Sequence, residues 1–132
     1  MRNIVFLLTI LVMACGGYKE TSGPPSSPED LKVADMAAQL EDLAEKFQQQ
    51  APEPLKTALN EFVDSAKRFN NSSQRFGPNS LEARDAFDKI RFHSTQLDPQ
   101  ITQESHPDLF DNWQKIRIDY IKQITTLLGY RT

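Results

Sequence analysis

Apolar residues recur every three or four positions along four stretches of this chain. That spacing places side chains on one face of an α-helix, because 3.6 residues complete a turn. The pattern therefore predicts four amphipathic helices. In chain order, the predicted buried stripes are Val33, Met36, Leu40, Leu43 and Phe47; Leu55, Leu59, Phe62, Ala66, Phe69, Ser73 and Phe76; Ala83, Phe87, Ile90, Ser94 and Leu97; and Leu109, Trp113, Ile116, Tyr120, Ile124 and Leu127.

Capping residues predict where these helices begin. Ser27 stands three residues before Asp30, a spacing typical of a capped N-terminus. Asn79 follows a Gly-Pro pair and is the predicted start of the third helix. Either Ser105 or His106, which precedes a proline, opens the fourth helix.

The fold class follows from the four helices and their short polar connections. No stretch alternates apolar and polar residues as a strand would. Residues 28–132 are enough for one small core, and four helices with short turns pack as an up-down-up-down bundle. Charge agrees, since residues 28–50 carry a net −4 and residues 53–76 a net +1. We predict an all-α, up-down-up-down four-helix bundle.

A short apolar run, IVFLLTILVMA, occupies residues 4–14. Eleven residues make about 16 Å of helix, roughly half of a bilayer core. The run is too short to span a membrane and has the length of the apolar part of a signal peptide. Residues 1–14 are therefore predicted to be removed on export.

The sequence Val12-Met13-Ala14-Cys15 ends this run. An aliphatic residue, a small residue and then cysteine resemble the lipobox of bacterial membrane lipoproteins. The resemblance implies that a lipid is attached to the Cys15 thiol, that the chain is cut before Cys15, and that the new N-terminus receives an acyl chain such as palmitate. The alternative is an ordinary secretory signal or an N-terminal anchor helix, with Cys15 an incidental small apolar residue.

Residues 15–27 form the predicted tether between this anchor and the bundle. Gly, Ser and Pro dominate the segment after Cys15, and it has no apolar period. Its twelve remaining residues reach at most about 40 Å. The predicted location is the cell envelope, anchored by lipid and facing the periplasm. The outer membrane is slightly favoured over the inner one, because Gly16 stands where aspartate would favour inner-membrane retention.

The mature chain offers little metal or haem chemistry. Without Arg2, 14 Lys and Arg remain against 18 Asp and Glu, a formal net charge of −4. Its single cysteine excludes a covalent haem motif and an internal disulfide. Axial haem ligands would have to come from Met36, His93 and His106, which the predicted bundle pairs poorly. No Glu-x-x-His motif for a di-metal site occurs, so we predict no metal and no cofactor.

Catalytic and nucleic-acid-binding patterns are missing as well. No serine lies in a Gly-x-Ser-x-Gly setting, and no glycine-rich phosphate loop occurs. An acidic domain with scattered cations is a poor nucleic-acid partner. The last helix, with Trp113 and the terminal LLGYRT, is also similar to small helical exported proteins, a resemblance that implies no activity. We predict that the protein is not an enzyme.

Two apolar residues point away from the predicted core. Phe92 lies opposite the buried stripe of the third helix, and Ile118 lies outside that of the fourth. We predict that they form a face for a protein partner, so the expected function is a protein-binding adaptor. The alternatives are a carrier of haem, metal or another non-covalent ligand in the bundle core, and a structural envelope component.

Overall fold

The structure, a computed structural model, describes residues 23–130. The predicted signal peptide, Cys15 and most of the tether lie outside these residues. The helices are α1 (Pro28–Gln50), α2 (Leu55–Ala58), α3 (Asn60–Phe76), α4 (Leu81–Leu97), α5 (Pro107–Lys115), a π-helical segment (Ile116–Lys122) and α6 (Gln123–Leu127); a 3₁₀ turn, Asp98–Gln100, follows α4. The last three helical segments run on without a break as one final helix, residues 107–127. No strand occurs within residues 23–130, and the all-α, four-helix prediction is confirmed.

Two serine hydroxyls cap the helices α1 and α4. The backbone N–H of Asp30 donates to Ser27 Oγ at 3.1 Å, as the sequence predicted. At α4 the cap is Ser80, whose Oγ accepts from the Ala83 N–H at 3.2 Å. The predicted start at Asn79 is therefore wrong by one residue, because the Asn79 side chain donates instead to the Asp30 carboxylate at 3.2 Å. His106 precedes the final helix, one of the two predicted positions.

Within each pair of neighbouring helices, hydrogen bonds join residues near the start of one helix to residues near the end of the other. α1 and α3 pair in this way, and so do α4 and the final helix. The hydrogen bonds are Gln48 to Asn60 at 2.6 Å, Gln74 to the Ala34 carbonyl at 2.8 Å, Trp113 to Asp98 at 3.0 Å and Arg84 to the Leu128 carbonyl at 2.7 Å. Helices joined in this order run antiparallel.

The core contains a cluster of aromatic side chains around Trp113. The Trp113 ring lies 5.6 Å from Phe47 and 5.5 Å from Phe62, between ring centres, and it is fully buried. Phe69 and Phe87 pack 5.0 Å apart further along the bundle. Each such side chain contributes about 2–3 kcal/mol by leaving water. These rings link α1, α3, α4 and the final helix into one core.

The final helix departs from the predicted stripe. Tyr120 and Leu127 were predicted to be buried, but both are half-buried, and Ile121 and Leu128 are buried in their place. The reason is the π-helical segment, whose wider turn holds one more residue than an α-turn. Ile121 and Leu128 therefore replace their preceding neighbours in the core, while Ile124 is buried as predicted.

Candidate docking surface

Four large apolar side chains are exposed among the described residues. They are Leu31, Leu81, Phe92 and Ile118, with exposed fractions of 52%, 63%, 58% and 47%. The predicted exposure of Phe92 and Ile118 is therefore confirmed. A single exposed apolar residue is ordinary on a protein surface. Its neighbours therefore determine whether it belongs to a candidate binding surface.

Ile118 lies in the wall of a groove between α4 and the final helix. The groove has a volume of about 430 Å³. It is lined by Arg91, Ser94 and Thr95 of α4 and by Arg117, Ile118, Ile121 and Lys122 of the π-helical segment. Phe92 does not line it and lies on the side of α4 opposite its buried residues. The structure thus places Ile118 in the groove and leaves Phe92 on the adjoining outer surface.

Small and polar residues on α4 form one wall of the groove. Ser94 is buried, and its hydroxyl donates to the Arg91 carbonyl at 2.9 Å. The Thr95 hydroxyl donates to the same carbonyl at 3.0 Å. Both hydroxyl protons are therefore used within α4, while the oxygen lone pairs can still accept a hydrogen bond. Facing them, Ile118 and Ile121 supply the apolar part of the groove.

Three cations line this groove in a chain that is acidic overall. The Arg117 Nε lies 3.3 Å from an oxygen of Asp98, and its Nη1 donates to Gln114 at 3.2 Å. Arg91 stacks on the ring of Tyr130, with 4.5 Å between its guanidinium carbon and the ring centre. Both guanidinium groups are thus held in place before anything binds. Lys122 adds the third positive charge.

The C-terminal end of the described chain packs beside this groove. Gly129 has φ +80°, a backbone conformation that favours glycine, and it turns the chain back towards α4. The Tyr130 ring then packs against Phe87 at 5.7 Å between ring centres and beneath the Arg84 guanidinium at 5.1 Å. Burial raises the pKa of the Tyr130 hydroxyl, and the Asp88 carboxylate raises that pKa further.

The residues considered as metal or haem ligands are used elsewhere. His93 Nε2 lies 3.5 Å from Glu61 of α3. His106 Nδ1 lies 3.1 Å from the Gln100 carbonyl, and Met36 packs partly buried against the core. Within residues 23–130, no group of three or more His, Cys, Asp or Glu side chains is arranged to hold a metal ion.

None of the helices within the described residues is both long enough and apolar enough to cross a membrane. Comparisons with protein-family models, with curated proteins and with solved structures found no match to this chain. The sequence pattern identified Phe92 and Ile118 but not the three cations of the groove, because the convergence of those cations depends on how α4 and the final helix pack.

Proposed function

We propose that this protein is a lipid-anchored, non-enzymatic adaptor of the bacterial cell envelope, which docks a protein partner on the surface of α4 and the final helix. Lipid on Cys15 holds the chain to the membrane, and the bundle faces the periplasm, with the outer membrane slightly favoured. The protein has no role in binding nucleic acid. The single observation that carries the proposal is the groove in which Ile118 stands among Arg91, Arg117 and Lys122.

This groove combines the two features of a protein-docking site. Exposed apolar area supplies affinity, while converging charges select the partner and orient it. The guanidinium groups of Arg91 and Arg117 are already held by neighbours, so binding costs less side-chain entropy than it would with mobile arginines. Phe92 extends the apolar area on the outer side of α4.

A carrier function receives less support from the core. The inward aromatic side chains that suggested it pack against one another around Trp113 and between Phe69 and Phe87. They fill space that a ligand would need. We therefore prefer the adaptor to a carrier or a purely structural component.

The proposal is tested by crosslinking full-length protein in native membranes, followed by mass spectrometry of the captured proteins. Ile118→Asp and Phe92→Asp are made singly and together, and Ala58→Asp, at an exposed apolar residue of α2 away from both helices, is the control. We expect the double variant to lose capture and the control to retain it. All three sites are exposed, so each substitution should change the free energy of unfolding by less than about 0.5 kcal/mol. Capture that survives in the folded double variant would exclude this surface.

Anchoring is tested separately with Cys15→Ser. We expect this variant to leave the membrane fraction, because acyl chains supply about 0.8 kcal/mol per buried methylene. Mass spectrometry of the wild-type N-terminus should show Cys15 as the first residue, carrying acyl chains. An intact N-terminus or an unmodified thiol would contradict the lipid anchor.

A further inference from the structure

The helix α1 carries an outward ridge of its own. Leu31, Asp35, Ala38 and Asp42 follow one another at spacings of four, three and four residues, and they lie away from the buried side of α1. Leu31, Asp35 and Ala38 edge a groove beside α3, and Ala38 and Asp42 edge another beside the final helix. The ridge therefore stands between two grooves, with a small residue at its middle and two carboxylates along it.

The groove lined by Arg91, Arg117 and Lys122, here called the basic groove, lies on the far side of the bundle from this ridge. α1 contacts α3 and the final helix, while α4 contacts α3 and the final helix, so α1 and α4 stand diagonally across from each other. The ridge faces outward from α1, and the groove opens between α4 and the final helix. One molecule can therefore present the ridge to one neighbour and the groove to another.

The ridge and the groove also overlap in height along the bundle. The start of α1 lies beside the start of α4 and the end of the final helix, as the Asp30–Asn79 and Arg84–Leu128 hydrogen bonds show. From that end, Asp35, Ala38 and Asp42 stand about 10, 15 and 21 Å along α1. Arg91 stands about 15 Å along α4, and Lys122 and Ile118 stand about 7 and 13 Å along the final helix.

We propose that the groove of one copy receives the α1 ridge of a second copy standing beside it in the same orientation. This inference rests on the proposed function and names the occupant of its docking groove. Ala38 of the second copy meets Ile118, Asp35 meets Lys122, and Asp42 meets the guanidinium groups of Arg91 and Arg117. The present partners of the two aspartates, Gln39 and Lys46 on α1 itself, are exposed and easily exchanged.

Such a contact is head-to-tail, so a pair of copies still has one ridge and one groove open. Further copies add at both, and the assembly grows as a row, or as a ring where the rotation between neighbouring copies closes. Copies in a row share one orientation, which lets every tether reach the same membrane. Anchoring also raises the effective concentration, so a contact that is weak in solution is populated at the membrane surface.

Cysteine crosslinking tests this contact on the full-length, lipidated protein in its own membrane. Cys15 is the only native cysteine, so Ala38→Cys with Ile118→Cys provides a defined pair. Ala38→Cys with Gln96→Cys is the matched control, since Gln96 is exposed on α4 but does not line the groove. We expect oxidation to give a ladder of dimers, trimers and longer species for the first pair alone. Equal ladders, or no ladder for the first pair, would overturn the proposal.

Charge reversal supplies a second, independent measurement on the same cysteine pair. Lys122→Glu should lower the crosslinked fraction about fivefold, and adding Asp35→Lys should restore it. Both residues are exposed, so neither change should affect folding. A crosslinked fraction that does not change in Lys122→Glu would contradict the pairing of Asp35 with Lys122. A fraction that Asp35→Lys fails to restore would contradict it as well.

The two proposals fail in different ways. If the ladder is missing while capture of another protein still depends on Phe92 and Ile118, the self-association is wrong and the adaptor stands. If the ladder forms but no other protein depends on that surface, the contact between copies is supported and the adaptor is wrong.

Discussion

The guanidinium carbon of Arg91 lies 4.5 Å from the centre of the Tyr130 ring, and Arg91 also lines the basic groove. One side chain thus connects the C-terminal end of the described chain to the candidate docking surface. The arrangement fixes a long, otherwise mobile cation at the edge of the groove. It also makes Tyr130 a determinant of both stability and groove geometry.

Removal of the Tyr130 ring should destabilise the bundle. Tyr130→Ala removes an edge-on contact with Phe87 and two cation–ring contacts, so we expect a loss of about 2 kcal/mol in the free energy of unfolding. Tyr130→Phe keeps the ring and should lose less than about 0.5 kcal/mol. Urea unfolding, followed by circular dichroism, measures both. Equal losses in the two variants would mean that the ring contacts contribute nothing.

Stability should also fall at alkaline pH because of the same residue. Burial, followed by the Asp88 carboxylate, raises the Tyr130 pKa above its ordinary value of 10.0 in the folded state. Above pH 10 the unfolded chain loses this proton while the folded chain keeps it, so the unfolded state is increasingly favoured. The contribution is complete below pH 10 and disappears as the pH passes through the folded-state pKa. Between pH 8 and pH 11, the free energy of unfolding of the wild type should fall relative to that of Tyr130→Phe. If the two free energies change in parallel with pH, the prediction is contradicted.

Asp98 should matter more for its hydrogen bond than for its charge. It accepts a 3.0 Å hydrogen bond from Nε1 of the fully buried Trp113 and pairs with the half-exposed Arg117. Asp98→Ala should cost about 1–2 kcal/mol, because it leaves that indole N–H without its acceptor. Asp98→Asn keeps an acceptor oxygen and should cost less than about 1 kcal/mol. The fluorescence of Trp113, the only tryptophan, reports both transitions. A larger loss in Asp98→Asn would reverse the ranking.

The two serine caps should contribute different amounts to the stability of the bundle. Ser80 is buried and its hydroxyl also donates to the Gly77 carbonyl at 2.7 Å, whereas the Ser27 cap is exposed. We expect Ser80→Ala to cost about 1–2 kcal/mol and Ser27→Ala about 0.5–1 kcal/mol. Ser26→Ala, next to the cap, is the control and should be neutral. Thermal unfolding of the three variants gives the ranking, which a neutral Ser80→Ala would refute.

Replacing Ser73 by alanine should stabilise the protein. Its hydroxyl oxygen is buried in the core, and it has no hydrogen-bond partner within residues 23–130. Ser73→Ala removes a desolvated polar group and favours the helix, so we expect a gain of about 1 kcal/mol. Ser72→Ala, at the neighbouring half-buried position, measures the effect of the higher helix propensity of alanine alone. Destabilisation by Ser73→Ala in urea unfolding would show that the hydroxyl has a partner.

Most of the fold was predictable because local spacing and burial largely agree along α1, α3 and α4, although Met36, Leu43 and Phe76 of the predicted stripes are only half-buried. Phe47, Phe62 and Phe87 lie where the three- and four-residue spacing places them, in the core. The predicted exposure of Phe92 follows from the same geometry. These features depend on residues close together in the chain, which a periodic pattern describes well.

Two features depended on packing between helices and could not be predicted. Asn79 was the expected cap of α4, but its side chain bonds to Asp30, a partner 49 positions away in the chain. The cations of the groove come from two helices, and no local pattern in either helix joins them. A site assembled across an interface becomes visible only when that interface is known.

The π-helical segment makes the final helix sensitive to a difference of one residue in length between this chain and a relative. Removing one residue from Ile116–Lys122 would let the final helix close as a regular α-helix and would align Ile121, Ile124 and Leu128 with Ile116 at the ordinary three- and four-residue spacing. A one-residue gap in an alignment at this point would therefore leave the core intact. It would alter the groove wall around Ile118, so a single gap would separate relatives that share only the bundle from those that also share the candidate docking surface.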